Sequence, residues 1–472
     1  MEIAQVPPAP IERFEALLGK ERWQRYGATL TQARSALEGR HVRHVSSTLT
    51  GGGVAELLRP AISYLQGAGI AASWAAIAGD DDFFTVTKRL HHMLHGKKGD
   101  GAGLRGTDRR CYEDTLEAQA SELVATLGQG DVVVLHDPQT LGLAPHLREA
   151  VTAVVWCCHI GADTVNAFTR DARRFLLPYT TACDAATFSL AAHVWEELED
   201  TLVEVVPPCI DAFSVKNQEL TVTQVTAILV ASGIEPGAGA AADAVPAFAG
   251  CDGAEARVRR RCDLLQDDTV PADAPVVCQV SRWDVLKDHA GVGRMFTEGV
   301  APSSGAHLVL AGPSPSGVAD DPEGAATLED LRCWWQELAP AVRRRVHVAA
   351  IPMDDVDENA AVVNALQRRS QVVVQKSLAE GFGLTVSEAL FKRRPVVATG
   401  VGGIREQIAN GAEGLLVDDP LDLAAVARAV SSLLSDPPAA RELGERGRDA
   451  VVERFLMPAY LARYAHLGAR LT

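Results

Sequence analysis

Residues 377–390 read SLAEGFGLTVSEAL, with Glu380 and Glu388 on either side of the turn Gly381-Phe382-Gly383. The run QVVVQ (371–375) leads in, short and apolar like a strand buried on both faces. A helix is expected to begin near Leu384. Strand, glycine turn and helix in that order form the repeating unit of a parallel sheet, and such sheets bind ligands beyond the carboxyl ends of their strands. Glu380 is then a loop acid at that end, and Glu388 falls in the second turn of the helix. The amides of the turn can face an anion. A carboxylate accepts from two hydroxyls at once, which suits the vicinal diols of a sugar or ribose ring. The plain alternatives are an i,i+4 pair of Glu388 with Lys392 and an exposed acid at Glu380.

The same unit repeats in both directions. Apolar runs stand at 42–48, 72–79, 131–137, 151–159 and 201–207, then at 275–281, 306–312, 345–351, 371–375, 395–400 and 413–419. Turns and helical patterns separate them, which predicts an α/β chain with two doubly wound, Rossmann-like domains. The expected boundaries are 1–215 and 216–454, with a last helix, 455–472, returning to the first domain. Residues 233–275, rich in Ala, Gly, Pro and Asp, read as a surface insertion or mobile linker. The cluster Arg257, Arg259, Arg260 and Arg261 within it reads as a solvated helix face. The apolar stretch 61–79 carries Gln66 and several glycines, and reads as helix end, turn and strand rather than a membrane span.

Bulk numbers narrow the function. The 472 residues carry a formal net charge of −16, which excludes general binding to nucleic acid or anionic membrane. One small phosphorylated ligand needs only two or three local cations and stays open. Nine cysteines without a C-x-x-C spacing suggest reduced, buried thiols rather than disulfides or a zinc site. MEIAQVPPAP at the start lacks a basic segment followed by an apolar one, so a cytoplasmic location is expected. Asp80–Asp82 and Asp320–Asp321 read as solvated loop acids, and no metal is expected.

Three further stretches carry chemistry. In LTGGGVAELL (49–58), Gly51, Gly52 and Gly53 precede a helix and let backbone approach a ligand; a tight strand–helix turn is the alternative. Neither G-x-G-x-x-G nor G-K-[ST] is present, against a dinucleotide fingerprint or a P-loop. In VSRWDVLKDH (280–289), Arg282 and Lys287 sit just past a strand and could both reach one pyrophosphate, or be an ordinary surface pair. In CCHIG (157–161), His159 is either a donor at a polar reaction centre or a satisfied core histidine.

Together these stretches resemble retaining glycosyltransferases of the GT-B fold, family 4, with their E-x7-E spacing. More narrowly, STLTGGGVAELL, FFTVTKRLHHMLHG, VVLHDPQ, WCCHIGADTVN, VVPPCIDAFSVKN, VSRWDVLKD and EGFGLTVSEALFKRRPVVATGVGGIREQI resemble trehalose glycosyltransferring synthases and retaining trehalose phosphorylases. The resemblance implies two Rossmann-like domains facing a central cleft, and transfer of glucose from a nucleoside-diphosphate glucose to glucose. It implies that Glu388 holds the ribose, and that Glu380, with the Phe382, Gly383 and Leu384 backbone, holds the donor sugar. Arg282 and Lys287 would hold the diphosphate, His159 would sit beside the transferring glucose, and Gly51 to Gly53 would line the phosphate side. Asp137 and Gln139 are the acceptor-side candidates. No cofactor is implied; the partners are a sugar nucleotide and a sugar acceptor, and a homodimer stays open. The competing readings are a phosphorylase, transfer to another polyol or aminocyclitol, and a non-catalytic sugar or nucleotide sensor.

Overall fold

The computed structural model describes residues 1–198, 201–237, 244–315 and 322–471, so Asp320 and Asp321 lie outside the described residues. The chain divides into two compact units, Met1–Cys209 with Glu453–Thr472, and Ile210–Val452.

Unit 1 is built on seven strands: β1 (Glu2–Ile3), β2 (Val42–Ser46), β3 (Ala72–Ala76), β4 (Val132–His136), β5 (Ala153–Cys158), β6 (Ala185–Phe188) and β7 (Leu202–Val205). Their order is β1-β3-β2-β4-β5-β6-β7, parallel throughout except for the antiparallel edge strand β1. Apolar residues occupy both faces because both are covered. Val133, Leu135, Val154 and Trp156 enter one core cluster, while Val132, Val134, Val155 and Cys157 enter the other. That alternation within unbroken apolar runs is the period of two expected of strands, with each face burying its own set. Leu467, on the closing helix Met457–Leu471, belongs to the second cluster, so the chain's last helix covers a face of the first sheet.

A short hairpin, β8 (Ala247–Ala249) with β9 (Glu255–Arg257), opens the strands of unit 2. Its sheet comprises β10 (Asp263–Leu265), β11 (Val276–Val280), β12 (His307–Pro313), β13 (Val346–Ile351), β14 (Val372–Gln375), β15 (Val396–Thr399) and β16 (Leu415–Val417). The order is β10-β13-β12-β11-β14-β15-β16, again parallel apart from its first strand. Each fully buried aliphatic side chain stabilises such a core by about 1.5–3 kcal/mol, so runs like VVCQV and VHVAAI specify their own position.

The structure corrects four expectations. Residues 244–275 are no mobile linker: Phe248, Val258 and Val270 are buried, and β10 extends the second sheet. The arginine cluster lies on no helix: Arg257 ends β9, and Arg259 to Arg261 follow it outside any helix or strand. Glu358 accepts from the backbone N–H groups of Arg259 and Arg260 and pairs with the Arg260 guanidinium at 2.8 Å. Asp80 is no loose loop acid, since it caps the helix Asp81–Leu94 by accepting from the Phe83 amide at 2.8 Å. The cysteines are free, and Cys251 and Cys333 are exposed where burial was expected. Among the described residues no helix is long and apolar enough to cross a membrane.

Candidate active site

In each sheet the chain order reverses once, and that reversal leaves a crevice at the carboxyl ends of the two strands concerned. In unit 2 it falls between β11 and β14. The loops leaving those strands, 281–288 and 376–383, carry Arg282, Lys287, Glu380, Phe382 and Gly383.

Two buried glutamines at the strand ends set these loops. Gln279 donates to the Lys287 carbonyl at 2.8 Å and accepts from the Lys376 amide at 3.0 Å. Gln375 donates to the Ser377 hydroxyl at 3.1 Å and accepts from the Thr385 hydroxyl at 2.9 Å. Lys287 ends a single 3-10 turn, Val285–Lys287, capped by Asp284. Its ammonium pairs with Glu380 Oε2, which also accepts from Ser377 Oγ at 3.1 Å. The Lys287 and Glu380 side chains are 15% and 9% exposed, so Glu380 is not the exposed acid of the plain reading. Arg282 behaves differently: its side chain is 69% exposed, and Asp284 lies 3.5 Å away. Behind them Lys376, buried, pairs with Asp288, which takes the left-handed backbone at φ 47°.

The turn 381–383 is held from behind. The Gly403 amide donates to the Gly381 carbonyl at 2.8 Å, and the Gln407 side chain donates to the Phe382 carbonyl. Gly383, at φ 81°, precedes the helix Leu384–Phe391, and a Cβ there would press within 3.1 Å of Glu380 Cγ. Glu388, in that helix, is 4% exposed. Its Oε1 lies 3.6 Å from the Lys216 ammonium, while Oε2 has no hydrogen-bond partner among the described residues. The i,i+4 pair with Lys392 does not form between side chains. Instead Lys392 donates to Asn217 Oδ1 (2.9 Å), Gln367 Oε1 (2.8 Å) and the Glu388 backbone carbonyl (3.2 Å). Burial pulls its ammonium down to about 7, with Glu388 opposing.

In unit 1 the order reverses between β2 and β4. The glycine loop leaves β2, and the helix Gly52–Gly67 begins without a side-chain cap, with Gly51 and Gly52 at φ 73° and 77°. Gly51, Gly52 and Gly53 are exposed, and a Cβ on any of them meets nothing within 4 Å. Asp137 leaves β4 at φ 63° and is buried, with Oδ1 accepting from the His159 amide at 2.8 Å. Burial raises its carboxyl above the ordinary range, and His159 opposes the rise. Tyr112 donates to the Pro138 carbonyl at 2.6 Å and so fixes the turn that carries Gln139, whose Oε1 has no partner among the described residues. His159 is half-buried, and its Nε2 meets His136 Nδ1 at 2.9 Å. Burial holds the His159 imidazole below its ordinary value, with Asp137 pulling the other way.

The structure thus joins Lys287 to Glu380 and Asp137 to His159, and leaves Arg282 reaching into solvent. Sequence reading missed Lys216, Lys376, Asp288 and His136. A usable signal existed for some of them: a polar residue closing an apolar run, as in VVCQV, VVVQK and VVVLH, marks a strand end where a site begins. Among the described residues no cluster of three or more His, Cys, Asp or Glu could hold a metal ion.

Comparison with known proteins fits this geometry. Residues 44–195 match the family described as trehalose synthase, N-terminal domain, and residues 266–450 match glycosyl transferases group 1. A trehalose synthase of Rubrobacter xylanophilus is 34% identical over 456 residues, covering 95% of each chain. The chain belongs to the trehalose synthase family. Its membership makes it a trehalose-related glycosyltransferase, a hexosyltransferase by class. A Pyrococcus horikoshii trehalose synthase is 29% identical over 96% of this chain and 94% of its own. Among solved structures, one described as trehalose-6-phosphate from E. coli bound with UDP-2-fluoro glucose superposes with a TM-score of 0.65 at 14% identity. It covers 91% of this chain and 99% of that one. Family and superposition together establish the GT-B fold, with one Rossmann-like sheet of seven strands in each unit.

Proposed function

We propose that this member of the family is a retaining transferase that moves glucose from a nucleoside-diphosphate glucose to glucose, forming the α,α-1,1 linkage of trehalose. The observation that carries the proposal is the grouping at the reversal in unit 2, formed by the loops after β11 and β14, the helix Leu384–Phe391 and Lys216. Two nearly enclosed carboxylates there accompany two cationic side chains, and one carboxylate oxygen, Glu388 Oε2, is still unpartnered. An acid kept dry with spare acceptor capacity suits the diol of a ribose. The related structure bound with UDP-2-fluoro glucose supports a sugar nucleotide as donor.

The roles follow from the chemistry each group can do. Arg282 and Lys287 hold the diphosphate and draw negative charge toward it as the bond from C1 to oxygen breaks. That charge is larger in the transition state than in the bound donor, so their attraction lowers the barrier rather than only tightening binding. Glu380, with the amides of Phe382, Gly383 and Leu384, grips the donor sugar, and Glu388 grips the ribose. His159 sits by the transferring glucose, Asp137 and Gln139 take the acceptor, and Gly51 to Gly53 lie along the phosphates. The acceptor hydroxyl attacks from the face the diphosphate leaves, and a departing phosphate oxygen takes its proton. This route needs neither a separate general base nor a metal ion.

The test is direct. Incubation with UDP-, ADP- or GDP-glucose and glucose is expected to release the nucleoside diphosphate and yield a sugar with the NMR signature of an α,α-1,1 linkage, undiminished by EDTA. Phosphate-dependent cleavage of trehalose without any use of a sugar nucleotide would overturn the donor assignment in favour of a phosphorylase.

A further inference from the structure

Behind His159 a row of imidazoles crosses the first sheet. His159 Nε2 meets His136 Nδ1 at 2.9 Å, and His136 Nε2 meets His44 Nδ1 at 3.0 Å. The rings stack nearly parallel, with centroids 5.2 and 5.3 Å apart and interplanar angles of 10° and 18°. The spacing follows from the fold. β2 and β4 are hydrogen-bonded neighbours, as are β4 and β5, and His44, His136 and His159 stand on or just beyond them. His44 and His136 are buried. The row has one open end: His44 Nε2 has no partner among the described residues, and it lines a cavity of about 70 Å³ with Leu30, Ala33, Val42 and Leu467.

We propose that His44 and His136 are positioning residues that lock His159 as a neutral imidazole with its proton on Nδ1, aimed at a sugar oxygen. The proposal rests on the reading of His159 as a sugar contact. A neutral imidazole has one N–H and one bare nitrogen, so the two bonds of the row must run in the same direction. Running outward, His44 Nδ1–H donates to His136, His136 Nδ1–H donates to His159, and His159 is left with its N–H on Nδ1. The unpartnered atom is then a bare nitrogen at His44. Running inward, the same site would bury an N–H that no described group accepts, and orphan donors are the rarer and costlier case. Tyr26 and Tyr460 also line the cavity, and neither hydroxyl is bonded to His44 Nε2.

Neutrality has a use at this position. A sugar losing its leaving group becomes positive at the ring, and an imidazolium beside it would oppose that charge. A neutral N–H donor orients a sugar oxygen without doing so. Burial, which depresses His136 and His159 and holds His44 near 3, keeps the whole row uncharged at neutral pH.

The tautomers can be read without substrate by long-range ¹H–¹⁵N NMR of the histidine-labelled full chain at pH 7. Single His→Asn variants at 44, 136 and 159 assign the signals. The expected result is Nδ1–H at all three positions; an Nε2–H or doubly protonated His159 overturns the proposal. A second arm reads turnover. His44→Phe removes the donor that starts the row and is expected to lower kcat about tenfold with both KM values unchanged. His44→Asn keeps an N–H near the place of Nδ1 and is expected to recover most of that loss. Equal losses in the two variants would make His44 merely structural and overturn the proposal. Failure of the functional reading looks different: His159→Asn would then transfer glucose normally while the NMR pattern of the native row persisted.

Discussion

The two units present opposite electrostatics at the same topological point. At the reversal in unit 2, cations and carboxylates meet in pairs, Lys287 with Glu380 and Lys376 with Asp288. At the reversal in unit 1 the polar groups are imidazoles that burial keeps neutral, beside an aspartate whose carboxyl burial pushes up. One scaffold therefore offers a crevice of paired charges and one whose histidines burial keeps neutral. On the proposed function the first suits a diphosphate, whose charge grows as it departs, and the second a hexose with only hydroxyls to offer. The difference lies in which residues close each strand, glutamine followed by lysine after β14 and histidine followed by aspartate after β4.

The sharpest way to break this contrast is to remove charge from unit 2. Lys287→Ala is expected to cut kcat about a thousandfold, the upper range for losing one electrostatic stabiliser of a transition state. Because the change also strands the Glu380 carboxylate, Lys287→Ala with Glu380→Gln serves as the control for folding, read by circular dichroism. Arg282→Ala comes next, at about a hundredfold. Its side chain is 69% exposed, so melting should hardly move. Turnover near normal in both variants would remove the diphosphate from this crevice.

Glu388→Gln is milder. It keeps the shape and one acceptor oxygen, and is expected to raise the KM for the sugar nucleotide about tenfold while kcat changes little. Loss in kcat alone would contradict a ribose contact.

The strands and the glycine turns were legible because buried parallel strands and left-handed turns constrain local sequence: every apolar run named from the sequence holds a strand. β6 (AATF) was not, since two alanines and a threonine give no hydrophobic signal, and the edge strands β1 and β10 are too short to show a period. In the site, E-x7-E and the Arg282–Lys287 stretch stood out because charge after an apolar run is conspicuous. Lys216 and Asp288 did not, because their partners, Glu388 and Lys376, lie far along the chain and only folding brings them together. His44 and His136 were hidden for another reason. A histidine inside a strand looks like ordinary core, and its meaning depends on which strands become neighbours.

The neutral row gives unit 1 an acid-sensitive signature at β2 and β4, while unit 2 buries two histidines of its own near 3, His289 and His347. His44 has a folded value near 3 against 6.5 ordinarily, so between those values the unfolded chain binds a proton that the folded chain refuses. Stability is complete above about pH 6.5 and falls as pH drops toward 3. The slope is about 1.4 kcal/mol per pH unit, or roughly 2 kcal/mol by pH 5 for this group alone. Hydrogen exchange in β2 and β4 is expected to accelerate over that window in the native chain and less so in His44→Phe. Equal acceleration in both would show that the row is not what titrates.

The smallest expected effect separates what the protein needs from what the ligand needs. Gly51 and Gly52 adopt positive φ, so any side chain there strains the backbone whatever occupies the crevice. Gly53 has no such φ, and a Cβ would enter open space. Nothing within the folded chain requires glycine at 53, and alanine, the better helix former, is expected to leave melting unchanged or raise it slightly. If phosphates lie against that amide, the added methyl occupies their place, and the KM for the sugar nucleotide should rise several-fold with little change in kcat. A Gly53→Ala enzyme with an unaltered KM would mean that the donor is held by the charged crevice of unit 2 alone.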